Sequence, residues 1–366
     1  MKVPFLDPHL TKRDINELVS SIRSGWLAYG PYTATLEQEL AKYLQVPHVV
    51  MTASATAALH MSLILAGVKE GDEVITTPLS WVATSNVILY QRAKIVFADV
   101  DPTTGILDPE EVVKKITKKT KAILLVHLYG QMADMKRFKT LADKYNIALI
   151  EDTAHALEAK RDNLRPGQNG FSACLSFHVA KNITSGQGGA IILHTEEQAR
   201  LAKLLRRDGV MNTPDGKRRM ITFGYKYDAT DFQAALLMHQ LKRIEKQHQM
   251  RTEVFERYRK MFAGVPGIDF PKLVQNAVHS GHMFVVWVDP KKRDFIRAAL
   301  LKKGIQTSIH YDPIHLEPYY KETFGYKEND FPIAERLGAS TITLPTYSKL
   351  TRRQQNYIIK NLVSLV

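Results

Sequence analysis

The chain has a single cysteine, Cys174, among 366 residues. One thiol can form neither an internal disulfide framework nor a cysteine-ligated cluster within one chain. Long apolar runs are missing too, since none approaches the roughly 20 residues that cross a bilayer. The opening stretch, MKVPFLDPHLTKRD, lacks the apolar centre of a signal peptide. These absences predict a cytoplasmic protein with no membrane partner. Acidic residues are in deficit: 37 Asp and Glu against 50 Lys and Arg leave a net charge of +13. No helix-turn-helix, zinc-finger or RNA-binding signature accompanies that charge, and the basic residues are scattered. Their densest run, KKITKKTK at 114–121, fits the solvated end of a helix. Charge by itself speaks to steering and solubility. No nucleic-acid partner and no metal site are therefore expected, while a small anionic substrate would suit the surface. Internal repeats and low-complexity segments are also lacking.

What remains is an ordinary globular composition, 45% apolar and 24% charged, in a chain long enough for two domains. Residues 12–24 have helical spacing, with Ile15, Leu18, Val19 and Ile22 on one face. A loop, GWLAYGPYT, and a helix over 33–44 follow. Strands are predicted at 49–51, 73–77, 94–100, 121–127, 147–151, 173–178 and 189–194, separated by helices that include 134–145 and 196–207. DPEEVVKKI reads as a helix opened by Asp-Pro. A polar loop covers 208–220, and 224–228 lacks apolar periodicity, which marks it as exposed or at an interface. Phe232, Ala235, Leu236 and Leu241 are expected on one side of the next helix. A long charged helix over 238–262 is expected to link the domains. From 264 onward a strand at 282–289, a helix at 291–303, a strand at 305–309 and a helix from 351 suggest a smaller α+β unit. Strand–helix alternation over the first 240 or so residues predicts a mostly parallel, doubly wound α/β sheet. The expected division is a large domain at 1–245 and a small one at 246–366.

The ligand crevice of such a sheet lies off the strand C-termini. Four separated segments place chemistry there. Lys181 sits between a small-residue strand end and a Ser/Gly-rich turn, within FSACLSFHVAKNITSGQGG. It is either an ordinary loop lysine or, if desolvated, a nucleophile toward carbonyls. Ser54, Ala55 and Thr56 open a helix with small residues, which suits an anion as well as plain capping. Trp81 follows a strand end and could stack on a flat ring or fill a core. Asp152 ends a buried strand, with His155 three residues on; the carboxylate is either a helix cap or the partner of a cationic heterocycle. Ser176 lies at the strand end before Lys181.

A reactive lysine, a carboxylate, an aromatic and an anion cup together describe a pyridoxal phosphate site. Here the chain resembles the DegT/DnrJ/EryC1/StrS family of sugar aminotransferases, within fold type I of those enzymes. The resemblance runs through SGWLAYGP, SATAALH, TTPLSWVATSN, EDTAHAL, SFHVAKNITSGQGG, GYKYDATDFQAAL and HYDPIHLEPYY, in that order along nearly the whole chain. It implies that Lys181 bonds the cofactor aldehyde and that Asp152 pairs with the pyridine nitrogen. It also implies that Trp81 stacks on the ring and His155 lies beside the ring hydroxyl. Ala55, Thr56 and Ser176 would hold the phosphate. Lys226 matches a residue that reaches the phosphate in the neighbouring subunit, where many members have Asn and others Lys. Asp228 stands where Arg or Asn is common. His310, Tyr311 and His315 fall in a motif associated with the substrate cleft. The implied reaction is a ping-pong transfer from L-glutamate to a nucleotide-linked keto sugar, in a homodimer with shared active sites. A cyclitol or other non-nucleotide ketone is the alternative acceptor. A non-catalytic regulator on the same fold is the alternative from another class. The related sugar 3-dehydratases carry histidine in place of the lysine, and one branch adds an iron–sulfur cluster; Lys181 and the lone cysteine exclude both.

Overall fold

A computed structural model describes all 366 residues. In the first half of the chain, α1 (Lys12–Arg23), α2 (Pro31–Leu44), β1 (His48–Thr52) and α3 (Ala55–Leu65) lead into a run of alternating elements. These are β2 (Glu73–Thr76), α4 (Ala83–Tyr90), β3 (Lys94–Phe97), α5 (Pro109–Lys115), β4 (Thr120–Val126), α6 (Met135–Tyr145) and β5 (Ala148–Asp152). The two-residue β6 (Lys160–Arg161), β7 (Ser172–Ser176), β8 (Gly189–Leu193) and α7 (Glu196–Leu205) follow. Seven strands form one sheet in the order β1-β8-β7-β5-β4-β2-β3. The five from β7 to β3 are parallel, β8 runs against β7, and β1 runs against β8. The apolar run at 122–125 is completely buried, as a strand covered on both faces must be. One core, with Ile75, Leu124, Phe138 and Ile150, takes side chains from both faces of the parallel strands. A second, with Leu36, Leu40, Leu175, Ile192 and Leu237, covers one face of β1, β8 and β7.

Helix starts follow local chemistry. Pro109 opens α5, and the Asp108 side chain accepts from Glu110 N. Thr11 and Asp14 form a capping box at α1. The outcome for α1 is nevertheless inverted: Ile15, Val19 and Ile22 are exposed, while Asp14 and Ser21 are buried. Asp14 is held by two bonds from the Arg243 guanidinium, at 2.6 and 2.7 Å, and α1 packs on α8 (Asp231–Lys242) with this polar side inward.

The segment at 208–220, expected as a plain loop, contains a short hairpin of β9 (Val210–Asn212) and β10 (Arg218–Met220). The buried side of α8 carries Ala234, Ala235, Leu237 and Leu241; Phe232 and Leu236 are only partly buried. The long helix expected over 238–262 is two helices. The helical geometry breaks at Arg243 (φ −113°, ψ 13°), and α9 (Ile244–Phe262) starts after it. β11 (Ala277–Val278) then pairs with β6.

The remainder holds β12 (Phe284–Trp287), α10 (Arg293–Lys302), α11 (Pro318–Phe324), α12 (Pro332–Ser340), β13 (Thr341–Leu344) and α13 (Arg352–Val363). β12 and β13 pair antiparallel. Their core gathers Tyr258, Phe262, Phe284 and Ile358, and it includes Val3 from the start of the chain. The strand expected at 305–309 is reduced to isolated bridges, Ile305 to Val3 and Ser308 to Thr343. The first ten residues thus strap across the C-terminal unit.

Candidate active site

At the C-terminal edge of the parallel strands lies a cleft of about 470 Å³. β5 delivers Asp152, whose carboxylate accepts from Ala154 N and from the Thr84 hydroxyl, both at 3.1 Å. Burial raises its pKa in spite of these two donors and of the nearby Lys181. β7 ends at Ser176, and the loop after it is pinned by Phe177 N to Gly188 O (2.9 Å) and Val179 N to Gly186 O (3.0 Å). That loop carries Lys181 into the wall of the cleft. The surrounding protein strips the ammonium of water and lowers its pKa to about 8, with Asp152 opposing the shift. The side chain is still reachable through the cleft, so it is desolvated without being sealed. A share of free amine near neutral pH far above that of a solvated lysine is what a nucleophilic lysine requires.

The anion end of the cleft is the start of α3. Ser54 turns its hydroxyl back to accept from Ala57 N at 3.1 Å, so the first helical N–H groups, at Ala55 and Thr56, stay directed outward. Gly189 passes so close that a Cβ there would lie 2.3 Å from the Ser54 carbonyl carbon. Ser176, Gln187 and Gly188 line the same end. Trp81, well exposed, forms an outer wall, its ring 6.3 Å from that of Tyr311. His155 stacks on Tyr311, and its Nε2 lies 3.0 Å from the Tyr311 hydroxyl. His155 Nδ1 is buried without a partner.

Nine of the residues singled out from the sequence line this one cleft: Ala55, Thr56, Trp81, Asp152, His155, Ser176, Lys181, His310 and Tyr311. Two do not. His315 is fully buried outside the cleft, bonded to Glu335 at 3.0 Å and packed on Phe331, so in this fold it braces the core and does not line the cleft. Lys226 projects into solvent, 3.2 Å from Asp228, and reaches no part of this chain's cleft. Thr84, His178, Met283 and Ser308 line the cleft without having been foreseen. Thr84 was within reach, since it follows Trp81 by three positions at a helix start. Met283 and Ser308 come from the distant C-terminal unit and carry no local signal.

The donor set fits pyridoxal phosphate: helix N–H groups for a phosphate, a buried carboxylate for a protonated ring nitrogen, an amine for the aldehyde and a free imidazole nitrogen beside it. Such a cleft on such a sheet defines a fold-type I pyridoxal phosphate enzyme. The model of the DegT/DnrJ/EryC1/StrS aminotransferase family matches residues 8–363, and the chain belongs to that family. The spore coat polysaccharide biosynthesis protein SpsC of Bacillus subtilis (strain 168) is 33% identical over 377 residues, spanning 100% of this chain and 97% of SpsC. The structure of Spr1654 from Streptococcus pneumoniae matches with a TM-score of 0.95 at 30% identity, covering 100% of this chain and 98% of that one. Spr1654 is known in PLP and PMP forms as well. Helicobacter pylori PseC, an aminotransferase involved in the biosynthesis of pseudoaminic acid, matches with a TM-score of 0.94 at 27% identity over 100% of this chain and 99% of its own. The protein is a pyridoxal phosphate-dependent sugar aminotransferase. No helix is long and apolar enough to cross a membrane.

Proposed function

We propose that this enzyme moves an amino group from L-glutamate to a nucleotide-linked keto sugar, at C3 or C4, by a ping-pong mechanism in the cytoplasm. The observation that carries this reading is the convergence of Lys181, Asp152 and the start of α3 on one cleft. Pyridoxal phosphate, when bound, supplies an aldehyde that exchanges amines and a ring that withdraws electrons. The chain's own groups do the rest. Asp152 keeps a positive ring nitrogen in place. Ala55, Thr56 and Ser176 hold the phosphate, and Trp81 covers a ring face. Lys181 Nζ would bond that aldehyde and, as a free amine, would move the proton at the donor carbon. His155 orients the ring oxygen, and His310 and Tyr311 bound the space left for the acceptor. Relatives named for polysaccharide and pseudoaminic acid biosynthesis support a sugar acceptor activated for polymer assembly, and the net charge of +13 suits its diphosphate.

The same reading makes the enzyme a homodimer in which Lys226 completes the partner's phosphate site. Its support is an apolar surface with nothing over it: Ile15, Val19, Ile22, Trp26 and Leu27 near the start of the chain, and Met220, Ile221 and Phe223 beside Lys226, are all exposed. Two experiments test the proposal. L-glutamate alone should yield one equivalent of 2-oxoglutarate per active site. A panel of nucleotide-linked 3- and 4-keto sugars, set against a keto-inositol, should then show turnover only with the former. Turnover of the keto-inositol alone would overturn the acceptor assignment. For the shared site, Lys181→Ala and Lys226→Glu chains are mixed and reassembled. A hybrid dimer keeps one intact site and should recover about half the native activity per dimer. Full inactivity of the hybrids, with assembly confirmed, would refute it.

A further inference from the structure

A second cavity, of about 60 Å³, shares with the cleft the wall made by Ala180, Lys181, Met283 and His310. Its outer side is the N-terminal strap, residues 5–9. Three side chains in its wall carry a buried nitrogen with no hydrogen-bond partner: Gln247 Nε2, Arg251 Nε and His282 Nε2. The residues are only 4, 3 and 7% exposed. Buried polar groups left unpaired are costly, and native proteins satisfy them with protein or with ordered water. This chamber has room for several waters, at roughly 10–15 Å³ each.

The unpaired atoms are also complementary. Asn182 gives its amide hydrogens to the Glu158 carboxylate (2.8 Å) and the Ser280 carbonyl (3.2 Å). Its oxygen therefore faces His282 Nδ1, 3.1 Å away, and must accept from it. The hydrogen sits on Nδ1, and Nε2 is left with a lone pair. Gln247 Nε2 and Arg251 Nε are donors. A water among the three can accept from the two donors and donate to the imidazole.

We propose that ordered water in this chamber links Lys181 Nζ to His282 Nε2, so that His282 shares the proton of the lysine and hands it to solvent beneath the strap. The inference rests on Lys181 being the reactive amine. One proton moves: an ammonium N–H bond breaks, a water O–H bond forms, and that water's own proton passes to Nε2. The electron count is unchanged. The charged and titratable neighbours of His282 are Lys181, His155, His279, His310 and Arg251, all basic, and one buried carboxylate, Glu158, which is taken up by Arg251 and Asn182. An imidazolium there is disfavoured, so the ring does not store the proton: the new Nε2–H bond breaks again and a second water of the chamber takes the proton toward the strap. Asp152 faces Lys181 from the cleft side. His282 is in this sense a positioning residue, acting on the cofactor site through the lysine.

The test uses the cofactor-free full chain. Lys181 is labelled with a small acylating reagent across a pH series, and the modified peptide is quantified by mass spectrometry. His282→Phe removes the acceptor, which destabilises the ammonium and should raise the labelling rate at pH 7 by about threefold, the equivalent of half a pK unit. His282→Gln restores an acceptor oxygen and should return the rate to the native value. Unchanged labelling in a folded His282→Phe protein, or no rescue by Gln, would overturn the proposal. If the Phe variant does not fold, a high-resolution structure of the native protein decides. Water within hydrogen-bond distance of His282 Nε2 and chained to Lys181 supports it, and a dry chamber overturns it. Failure to bind pyridoxal phosphate at all would count against the assigned function and leave the labelling result standing.

Discussion

Lys181→Met should stabilise the cofactor-free protein while abolishing its chemistry. The native lysine has its pKa lowered from 10.5 to about 8, mainly by burial, with Asp152 in opposition. Such a group contributes stability that is present above the unfolded-state value and lost as pH falls through the folded-state value. The window is therefore about 10.5 down to 8, and the full penalty is in force at pH 7. About 2.5 units at 1.36 kcal/mol each corresponds to at most about 3 kcal/mol. Methionine has similar length and no charge to desolvate, so it escapes that penalty. Near the melting point, an unfolding entropy of about 2.1 cal/mol/K per residue turns 3 kcal/mol into a rise of about 4 °C for a chain of this size. The assay is thermal unfolding of the apo proteins at pH 7 and pH 9.5. The advantage of the Met variant should be largest at pH 7 and shrink to about half at the higher pH. An equal or lower melting temperature at pH 7, or a difference that ignores pH, would show that the amine is not held in a desolvating site. Borohydride treatment of the cofactor-loaded native protein should place the pyridoxyl label on the peptide containing Lys181, and the Met variant should take none.

Two further perturbations address the cofactor cradle. Thr84→Val keeps the shape of the side chain and deletes one of the two donors to Asp152. A hydrogen bond to a charged group is worth about 1.5–3 kcal/mol, so pyridoxamine phosphate should bind roughly ten- to a hundredfold more weakly in equilibrium dialysis; binding within twofold of native would show that Thr84 does not support the carboxylate. Gly189→Ala places a methyl 2.3 Å from the Ser54 carbonyl carbon and 2.4 Å from Ala55 N, both backbone atoms that cannot swing aside. It should cost about 1–3 kcal/mol as overpacking and weaken phosphate retention further, read by the phosphate concentration needed to protect the apo protein from thermal unfolding. Native-like protection would mean that β8 and the start of α3 are free to part.

The sequence alone determined where the strands lie and which of their ends carry chemistry. The run at 122–126 reads as a strand covered on both sides, and Asp108-Pro109 as the opening of a helix, because those signals act within a few residues of backbone. Motifs in four separated segments likewise announced Ala55, Trp81, Asp152, Ser176 and Lys181, which the fold brings to one cleft. Tertiary structure decided the rest. Helical spacing put Ile15, Val19 and Ile22 on one face, and only the docking of Asp14 against Arg243 turned that face outward. The motif that held His310 and Tyr311 also held His315, and packing against Phe331 sent it into the core. Nothing local marks Met283 or Ser308 as neighbours of Lys181, more than 100 residues earlier in the chain. Periodicity tells which side chains share a surface; what comes to cover that surface is a long-range choice, made by burial summed over the whole chain.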